Sequence, residues 1–428
     1  MTSKFTVFVH LPAQSEAVPA GLLDMLEDGS RVLRSTFLYG ARYVERHNRL
    51  ALDPLTLQLT QNPPQDAASL RDPPLTPQGL LTEFGVFRDA APDHWGRRVI
   101  ENKLGRLGPL PESTYLQHAG NNRTGALDFR DKPNTPAREG AHVGLVDLEY
   151  LLEASDRVQT GERLPGKLAL LFDAGPSMGG ARPKAVIVAD GKEWLAKFGS
   201  TDDRFDVPCV EYATMQMARA AGLSVPALRL ERVNHRHVML IERFDREYGA
   251  TGVTTRRHFV SALTLMAKHE SESSTASYQD IALAITRHGA RSTIRQDLAE
   301  IFKRMVFNIL VNNNDDHLRN HGFLWDSVAM GWRLSPLYDV VPTPVIVHTR
   351  YLHLGVGQAG RLATLENAIS QYGIFGLSRA EAENIINQIA MVVREWRVYF
   401  EDSGVKPQDI EHMAGAIRHP REVGWYDI

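Results

Sequence analysis

The sequence predicts an α+β protein built in two lobes, a small β-rich lobe followed by a mainly helical one. Strand-forming residues are concentrated before residue 242, and apolar residues at helical spacing dominate from there to about residue 400. One hairpin signal lies in each part, at Asp190-Gly191 and just before Gly331.

Composition and charge exclude several classes of protein. The 428 residues are 43% hydrophobic and 23% charged, which is typical of a globular chain and not of a disordered or fibrous one. Lys and Arg number 48 against 51 Asp and Glu, so the net charge of −3 gives no general attraction to nucleic acid or anionic membranes. The single cysteine, Cys209, excludes an intrachain disulfide and a cysteine-rich zinc site. Without a signal peptide or an apolar run near ~18 residues, we expect a cytoplasmic protein with no membrane association.

The first part of the chain reads as short strands and connectors. Residues 5–11, 36–39 and 50–54 are predicted strands, and a proline-rich connector follows over residues 63–77. Asp93 then opens a predicted helix, and a polar segment at residues 130–140 predicts an exposed loop.

The middle of the chain joins a glycine-rich stretch, residues 175–184, to a β-hairpin. Strand-forming runs flank Asp190-Gly191, and both positions of such a turn favour positive φ. The second strand carries Lys197. A helix is predicted from about Pro208, with Asp206 before it as the cap and a glycine, Gly222, at its end.

Polar residues follow the helix predicted over residues 301–310. Residues 312–320, Asn-Asn-Asn-Asp-Asp-His-Leu-Arg-Asn, favour a loop, and a hairpin then returns the chain. We therefore expect Asp315 and Asn320 to face Asp339. Two carboxylates and a carboxamide provide the oxygen ligands that Mg²⁺ prefers.

The order of these parts is that of a protein-kinase core: glycine-rich loop, strand lysine, helix glutamate (Glu211), Asp-x₄-Asn and a second Asp. Loop N–H groups and a lysine neutralise nucleotide phosphates, which a metal bridges. Each part also has a plainer interpretation. Asp315 can cap the helix after it, Lys197 can be a solvated strand lysine, and Glu211 can be a first-turn carboxylate.

Several segments resemble the HipA family, the serine/threonine kinase toxins of bacterial HipA–HipB toxin–antitoxin systems. They are residues 177–184, 242–246, 313–320 and 337–340, with residues 84–96 and 122–129 in the N-terminal part. The resemblance implies a two-lobed protein-kinase-like, HipA-like fold with ATP in the cleft between the lobes. The implied domains are an N-terminal subdomain and connector over residues 1–140, an N-lobe over 141–241 and a helical C-lobe over 242–428.

The resemblance also implies roles for individual residues. Asp315 is expected to be the catalytic base, with Lys197 and His317 as further catalytic residues, and Asn320 and Asp339 are expected to hold Mg²⁺. The residues expected to bind ATP are Gly179, Gly180, Ala181, Lys184, Lys197, Glu242, Phe244, Asp245, His317 and Tyr338.

At the hinge, backbone groups of Glu242 and Phe244 are expected to meet adenine, with Asp245 near the ribose. The ring of Phe244 is equally explained by core packing. Glu211 corresponds to the helix glutamate that pairs with Lys197.

Ser177 occupies the position at which members of the family autophosphorylate. A phosphate there adds roughly −1.5 to −2 charges to a loop that holds ATP phosphates, and repulsion is expected to switch the kinase off. The alternative is a simple turn residue.

Two features depart from the pattern or stay open. Asp316 stands where a smaller residue is expected, and it either assists with metal or caps. The serine-rich segment 269–278 is predicted as a solvated loop, with its serines as modification sites in the alternative.

The resemblance therefore implies an ATP- and Mg²⁺-dependent serine/threonine kinase toxin. Its expected partners are a HipB-like DNA-binding antitoxin and a protein substrate. The expected substrate is an aminoacyl-tRNA synthetase, with glutamyl-tRNA synthetase as the first candidate. DNA is expected to be reached only through the antitoxin. One alternative is a catalytically weak regulatory subunit that acts with the antitoxin as co-repressor. The others are a metal-dependent nuclease using Asp315, His317 and His321, and a small-molecule kinase.

Overall fold

A computed structural model describes residues 1–59, 74–106, 108–140, 143–166, 168, 180–249, 253–345 and 347–426. Contacts divide the chain into two units. The first contains Met1–Thr201 and Glu242–His269, and the second contains Asp202–Ile241 and Glu270–Ile428. The three predicted domain ranges stay a prediction. Among the described residues, no helix combines the length and the apolarity that crossing a membrane requires.

Most of the described strands lie before residue 242, as the sequence predicts, and three short strands between residues 246 and 261 were not predicted. The described strands are β1 Thr2–His10, β2 Ala17–Asp28, β3 Arg31–Tyr39, β4 Leu127–Arg130, β5 Lys184–Ala189, β6 Lys192–Phe198, β7 Leu228–Val233, β8 Arg236–Glu242, β9 Arg246–Tyr248, β10 Thr254–Arg256, β11 Phe259–Ser261, β12 Gly322–Asp326 and β13 Gly331–Leu334.

The described helices dominate the later part of the chain. They are α1 Ala41–Val44, α2 Gly85–Ala90, α3 His94–Leu104, α4 Glu112–His118, α5 Leu148–Thr160, α6 Val207–Ala220, α7 Ala262–Leu265, α8 Tyr278–His288, α9 Ile294–Val311, α10 Leu365–Ile369, α11 Arg379–Arg394, α12 Trp396–Asp402 and α13 Pro407–Met413.

The first unit begins with an antiparallel sheet in the order β3-β2-β1-β4. Strands β1 and β3 confirm the predictions at residues 5–11 and 36–39, whereas β2 was not predicted, because Pro19 and Gly21 weaken its strand signal. The predicted strand at residues 50–54 is wrong. That segment is a turn in which the Asp53 carboxylate accepts hydrogen bonds from the Leu55 and Thr56 N–H groups at 2.8 and 3.0 Å.

Local signals elsewhere in this unit are confirmed. The Asp93 carboxylate caps α3 by accepting from the Gly96 N–H at 2.8 Å. Strands β5 and β6 form a hairpin whose turn residues, Asp190 and Gly191, have φ of 51° and 73°. Both angles are positive, as the Asp-Gly pair predicts.

The second unit is built around α9, which is buried along most of its length and packs against α8 and α11. Its predicted segment, residues 301–310, lies inside the helix. Helix α6 begins and ends as predicted, because the Asp206 carboxylate accepts from the Cys209 N–H at 3.3 Å and Gly222 has a φ of 80°. Strands β12 and β13 form the second predicted hairpin.

Candidate active site

The loop after α9, residues 312–320, is fixed at its start by Asn312. This residue ends α9 with a φ of 53°, a left-handed conformation that asparagine tolerates. Its side-chain amide donates to the Thr343 carbonyl, and its own carbonyl accepts from the Thr343 N–H at 3.0 Å. The loop is thereby joined to the segment that follows the β12–β13 hairpin.

The same hairpin returns Asp339 to the loop, as the sequence predicts. The Ser335 N–H donates to the Gly322 carbonyl at 2.8 Å, and the Tyr338 hydroxyl donates to the Arg319 carbonyl at 2.6 Å. Asp339 has a φ of 59°, an unusual backbone conformation for a residue other than glycine. Such strain is concentrated at functional sites in proteins, which makes Asp339 a functional candidate on backbone geometry alone.

Asp315 is the exposed carboxylate of the loop, with 75% of its side chain accessible, and its Oδ1 lies 3.8 Å from His317 Nε2. Partial loss of hydration beside the neighbouring loop atoms raises the pKa of Asp315 above its usual value. The Asp339 carboxylate raises it further, while His317 and His353 lower it. The structure therefore places Asp315, His317 and Asp339 within electrostatic reach of one another.

Asn320 is the residue of the loop best suited to a cation. Its Nδ2 donates to the Asp315 carbonyl at 2.7 Å, which fixes the orientation of the amide. Its Oδ1 is buried and accepts no hydrogen bond from any group that the structure describes. A buried oxygen without a donor is costly in a protein interior unless a ligand completes it, so this atom fits a Mg²⁺ ligand.

The predicted phosphate-binding residues lie in the first unit. Lys184 and Lys197 are direct partners across the β5–β6 hairpin, and both are buried. Paired residues of antiparallel strands share a face of the sheet, so the two lysines lie on one face. Gly180 and Ala181 precede β5 and are exposed. Ser177 and Gly179 lie outside the described residues.

The Lys184 side chain already has partners within the protein. Its Nζ lies 2.7 Å from Asp93 Oδ2 and donates to the Gly180 carbonyl at 3.2 Å. The Trp95 indole N–H donates to the Lys184 carbonyl at 2.9 Å. The family-like segment 84–96 therefore anchors the end of the glycine-rich stretch.

The hinge segment is held by a buried charge cluster. Asp245 is fully buried, and its carboxylate contacts Arg243 and Arg246 at 2.8 and 2.9 Å. It also accepts from the Gly125 N–H at 2.7 Å, and the nearby arginines hold its pKa well below the usual range against the effect of burial. This carboxylate has no exposed surface with which to meet a ribose.

The neighbouring predicted residues are more open. The Glu242 carboxylate pairs with Lys192 at 2.9 Å, and the Phe244 ring is half-buried. Tyr338 is also half-buried, with its hydroxyl used to hold Arg319. Glu211 is a buried residue of α6.

Sequence reasoning missed the partners that hold these residues. Asp93 is read from sequence only as the start of a helix, and Asn122, whose amide oxygen accepts from Arg243 and Arg246, has no predicted role. The available signal was that segments 84–96 and 122–129 resemble the same family as the loop motifs. The contacts themselves span about a hundred residues of sequence, which no local pattern encodes.

Comparison with known proteins gives one family and several relatives. Residues 176–396 match the family described as HipA-like C-terminal domain. The putative kinase Y4mE of Sinorhizobium fredii is 26% identical over 276 residues, 60% of this chain and 63% of that protein. The putative kinase Y4dM of the same bacterium is 24% identical over 346 residues, 76% of this chain and 75% of that protein. The chain thus spans less than two thirds of the first relative.

A solved structure confirms the predicted fold class. HipA of Shewanella oneidensis, determined in a complex with HipB and operator DNA, matches with a TM-score of 0.64 at 15% identity. The match covers 98% of this chain and 95% of that one. The two chains share a fold. Its α+β architecture, with a β-rich beginning and a mainly helical second part, agrees with the prediction.

Proposed function

Because the chain belongs to the HipA-like C-terminal domain family, we propose that it is an ATP- and Mg²⁺-dependent serine/threonine protein kinase of HipA type. The observation that carries the proposal is the loop after α9. There an exposed Asp315 lies beside His317, Asp339 returns next to it, and Asn320 offers a buried oxygen that lacks a donor. Both relatives from Sinorhizobium fredii are described as putative kinases, which supports the same activity.

In this mechanism Asp315 accepts the proton of the attacking serine or threonine hydroxyl. The raised pKa makes its carboxylate a stronger proton acceptor than an ordinary surface aspartate. His317 faces the same carboxylate and stabilises its charged form. Asn320 and Asp339 would hold Mg²⁺, which when bound neutralises phosphate charge.

For the nucleotide, Lys197 keeps its proposed role at the ATP phosphates, and the backbone groups of Glu242 and Phe244 keep theirs at adenine. Lys184 and Asp245 are proposed to act indirectly. Lys184 is held by Asp93, and Asp245 is enclosed by two arginines, so each fixes a loop or hinge for the residues beside it.

The proposed biological role is that of a toxin neutralised by a HipB-like antitoxin. The Shewanella HipA is described in a complex with HipB and operator DNA, and its fold is shared here. A net charge of −3 gives this chain no general affinity for DNA, so DNA is proposed to be reached through the antitoxin. An aminoacyl-tRNA synthetase, glutamyl-tRNA synthetase first, is the proposed target.

Intact-protein mass after incubation with Mg-ATP tests the kinase proposal. Dephosphorylated wild-type protein is expected to gain one phosphate, mapped by peptide sequencing to Ser177. Asp315→Ala is expected to gain none, because the proton acceptor is lost. Asp402→Ala, which removes an exposed carboxylate at the end of α12, is the matched control and should behave as wild type.

Binding of ATP without any phosphate gain would contradict the kinase and favour the regulatory subunit. The nuclease alternative does not need Lys197, so Lys197→Ala separates the two activities: it should abolish the phosphate gain of a kinase and leave a nuclease unaffected.

A further inference from the structure

The two neighbouring acids of the loop have opposite environments. Asp315 is largely exposed, whereas Asp316 retains only 1% of its accessible surface. The sequence left open whether Asp316 assists with metal or caps a turn. Its contacts support neither interpretation, because both carboxylate oxygens accept hydrogen bonds from other parts of the second unit.

The first of these contacts leads to α8 and back to α9. Asp316 Oδ2 accepts from the Tyr278 hydroxyl at 2.7 Å, and that hydroxyl accepts from Asn308 Nδ2 at 2.9 Å. Asn308 Oδ1 in turn accepts from Asn313 Nδ2 at 3.2 Å, which returns the chain of bonds to the loop. Tyr278 has one proton to donate and gives it to the acid, so the direction of every bond in the chain is set.

The second contact leads to the segment after the hairpin. Asp316 Oδ1 accepts from the His353 backbone N–H at 2.7 Å. The Ser273 hydroxyl lies 3.1 Å from His353 Nε2 and accepts from the Leu318 N–H at 3.3 Å. Leu318 belongs to the same loop, so two residues of the loop are tied to two segments that are distant in sequence.

These contacts also correct the prediction for residues 269–278. Residues Glu270–Thr275 form a 3₁₀ helix, Ser273 is buried, and Glu270 pairs with Arg319 of the loop. The serine-rich segment is therefore part of the support of the loop and not a fully solvated connection.

We propose that Asp316 is a positioning residue, whose buried carboxylate, held by the Tyr278 hydroxyl and the His353 N–H, fixes the backbone that presents Asp315. This inference rests on the proposed kinase function for its catalytic consequence. A general base must lie within hydrogen-bond distance of the proton that it accepts, so a looser loop lowers the turnover rate more than the affinity for ATP.

The charge state of Asp316 follows from the same contacts. Burial raises its pKa to about 6, and the hydrogen bonds from Tyr278 and His353 oppose that rise. Both groups that face it are donors, so the ionised form keeps both bonds and the protonated form gives up one. Other titratable or charged groups around this network are His321 and Arg304 beyond Tyr278, Asp315 and His317 on the loop itself, and the His353 imidazole with Arg361 beside it.

Tyr278→Phe tests the proposal in the 428-residue chain with Mg-ATP. It removes one donor and keeps the ring, and kcat is expected to fall about tenfold while KM for ATP stays within about twofold. The acidic limb of the rate profile is expected to move to higher pH, because the Tyr278 bond lowers the pKa of Asp316. Tyr39→Phe is the matched control, because its buried hydroxyl likewise makes two hydrogen bonds but makes them with backbone groups of the first unit. The kcat of this variant should not change.

Hydrogen exchange of the peptide that contains residues 312–320 provides the second readout. Faster exchange in Tyr278→Phe than in wild type is expected, and equal exchange together with unchanged kcat would overturn the proposal. Asp316→Asn, which places an amide beside two donors, is expected to reproduce both effects if Tyr278→Phe does not fold. If wild type transfers no phosphate at all, the kinase proposal fails, and hydrogen exchange alone then decides the positioning role.

Discussion

At the residue scale, the buried ion pair of Lys184 and Asp93 shows how its surroundings change the role that a side chain takes. The two charged side chains are only 2% and 6% exposed, and the atoms that form the pair are 2.7 Å apart. Asp93 uses its other oxygen to cap α3. One carboxylate therefore connects a helix start to the strand that follows the glycine-rich stretch.

Replacing Asp93 by Asn is expected to destabilise the protein by about 3–5 kcal/mol, because the amide keeps an oxygen for the cap but puts a neutral group where a carboxylate lies 2.7 Å from the buried Lys184 ammonium. The double variant Asp93→Asn/Lys184→Met removes both buried charges and should cost less than Asp93→Asn alone. The measurement is urea unfolding followed by tryptophan fluorescence. A loss for the double variant as large as that for Asp93→Asn would show that the uncompensated charge is not what destabilises this site.

At the element scale, turns and caps are the features that the sequence encodes most directly. The β5–β6 turn, the cap of α6 and the left-handed end of α9 each depend on one or two residues whose backbone preference is intrinsic. The turn at Asp53 and strand β2 were not recognised. The turn depends on hydrogen bonds that the Asp53 carboxylate accepts from its own neighbours. Strand β2 depends on the sheet around it, where tertiary context overrides local propensity.

Gly191→Ala is expected to destabilise the protein by about 1 kcal/mol, and the reason is the backbone alone. A Cβ at Gly191 would meet no atom within 4 Å, but its φ of 73° is unfavourable for any residue with a side chain. Gly373→Ala, in a 3₁₀ helix and equally free of neighbours, has no positive φ and should change stability by less than about 0.5 kcal/mol. Thermal unfolding by circular dichroism compares the two, and equal effects would contradict the backbone explanation.

At the scale of the whole molecule, buried histidines distributed over both units tie stability to pH. Burial lowers the pKa of His10 to about 3, of His258 to about 4 and of His321 to about 3. Unfolded histidine titrates near pH 6.5, so below that pH the unfolded chain binds protons that the folded chain excludes. Stability is therefore expected to fall as pH decreases from 6.5, while the raised pKa of Asp316 opposes part of this fall between about pH 6 and 4.

His258→Gln tests this pH dependence. Removing one such histidine should reduce the slope of unfolding free energy against pH by about 1.4 kcal/mol per pH unit around pH 5. The measurement is urea unfolding at pH 7, 6 and 5. His235→Gln is the control, because His235 is exposed. If both variants keep the wild-type slope, His258 is not among the groups that set it.

The sequence by itself determined the division into a strand-rich beginning and a mainly helical second part, several turn and cap residues and the family, because these depend on local backbone preference and on short motifs. It also identified Asp315, Asn320 and Asp339 as one group, since a hairpin between them must return the chain. Only the tertiary structure decided that Asp316 points inward to Tyr278, that Lys184 and Asp245 are enclosed by partners, and that Ser273 supports the loop. The physical reason is burial: whether a charged side chain is free to act depends on which distant donors and charges surround it, and those come from segments that neighbouring residues do not specify.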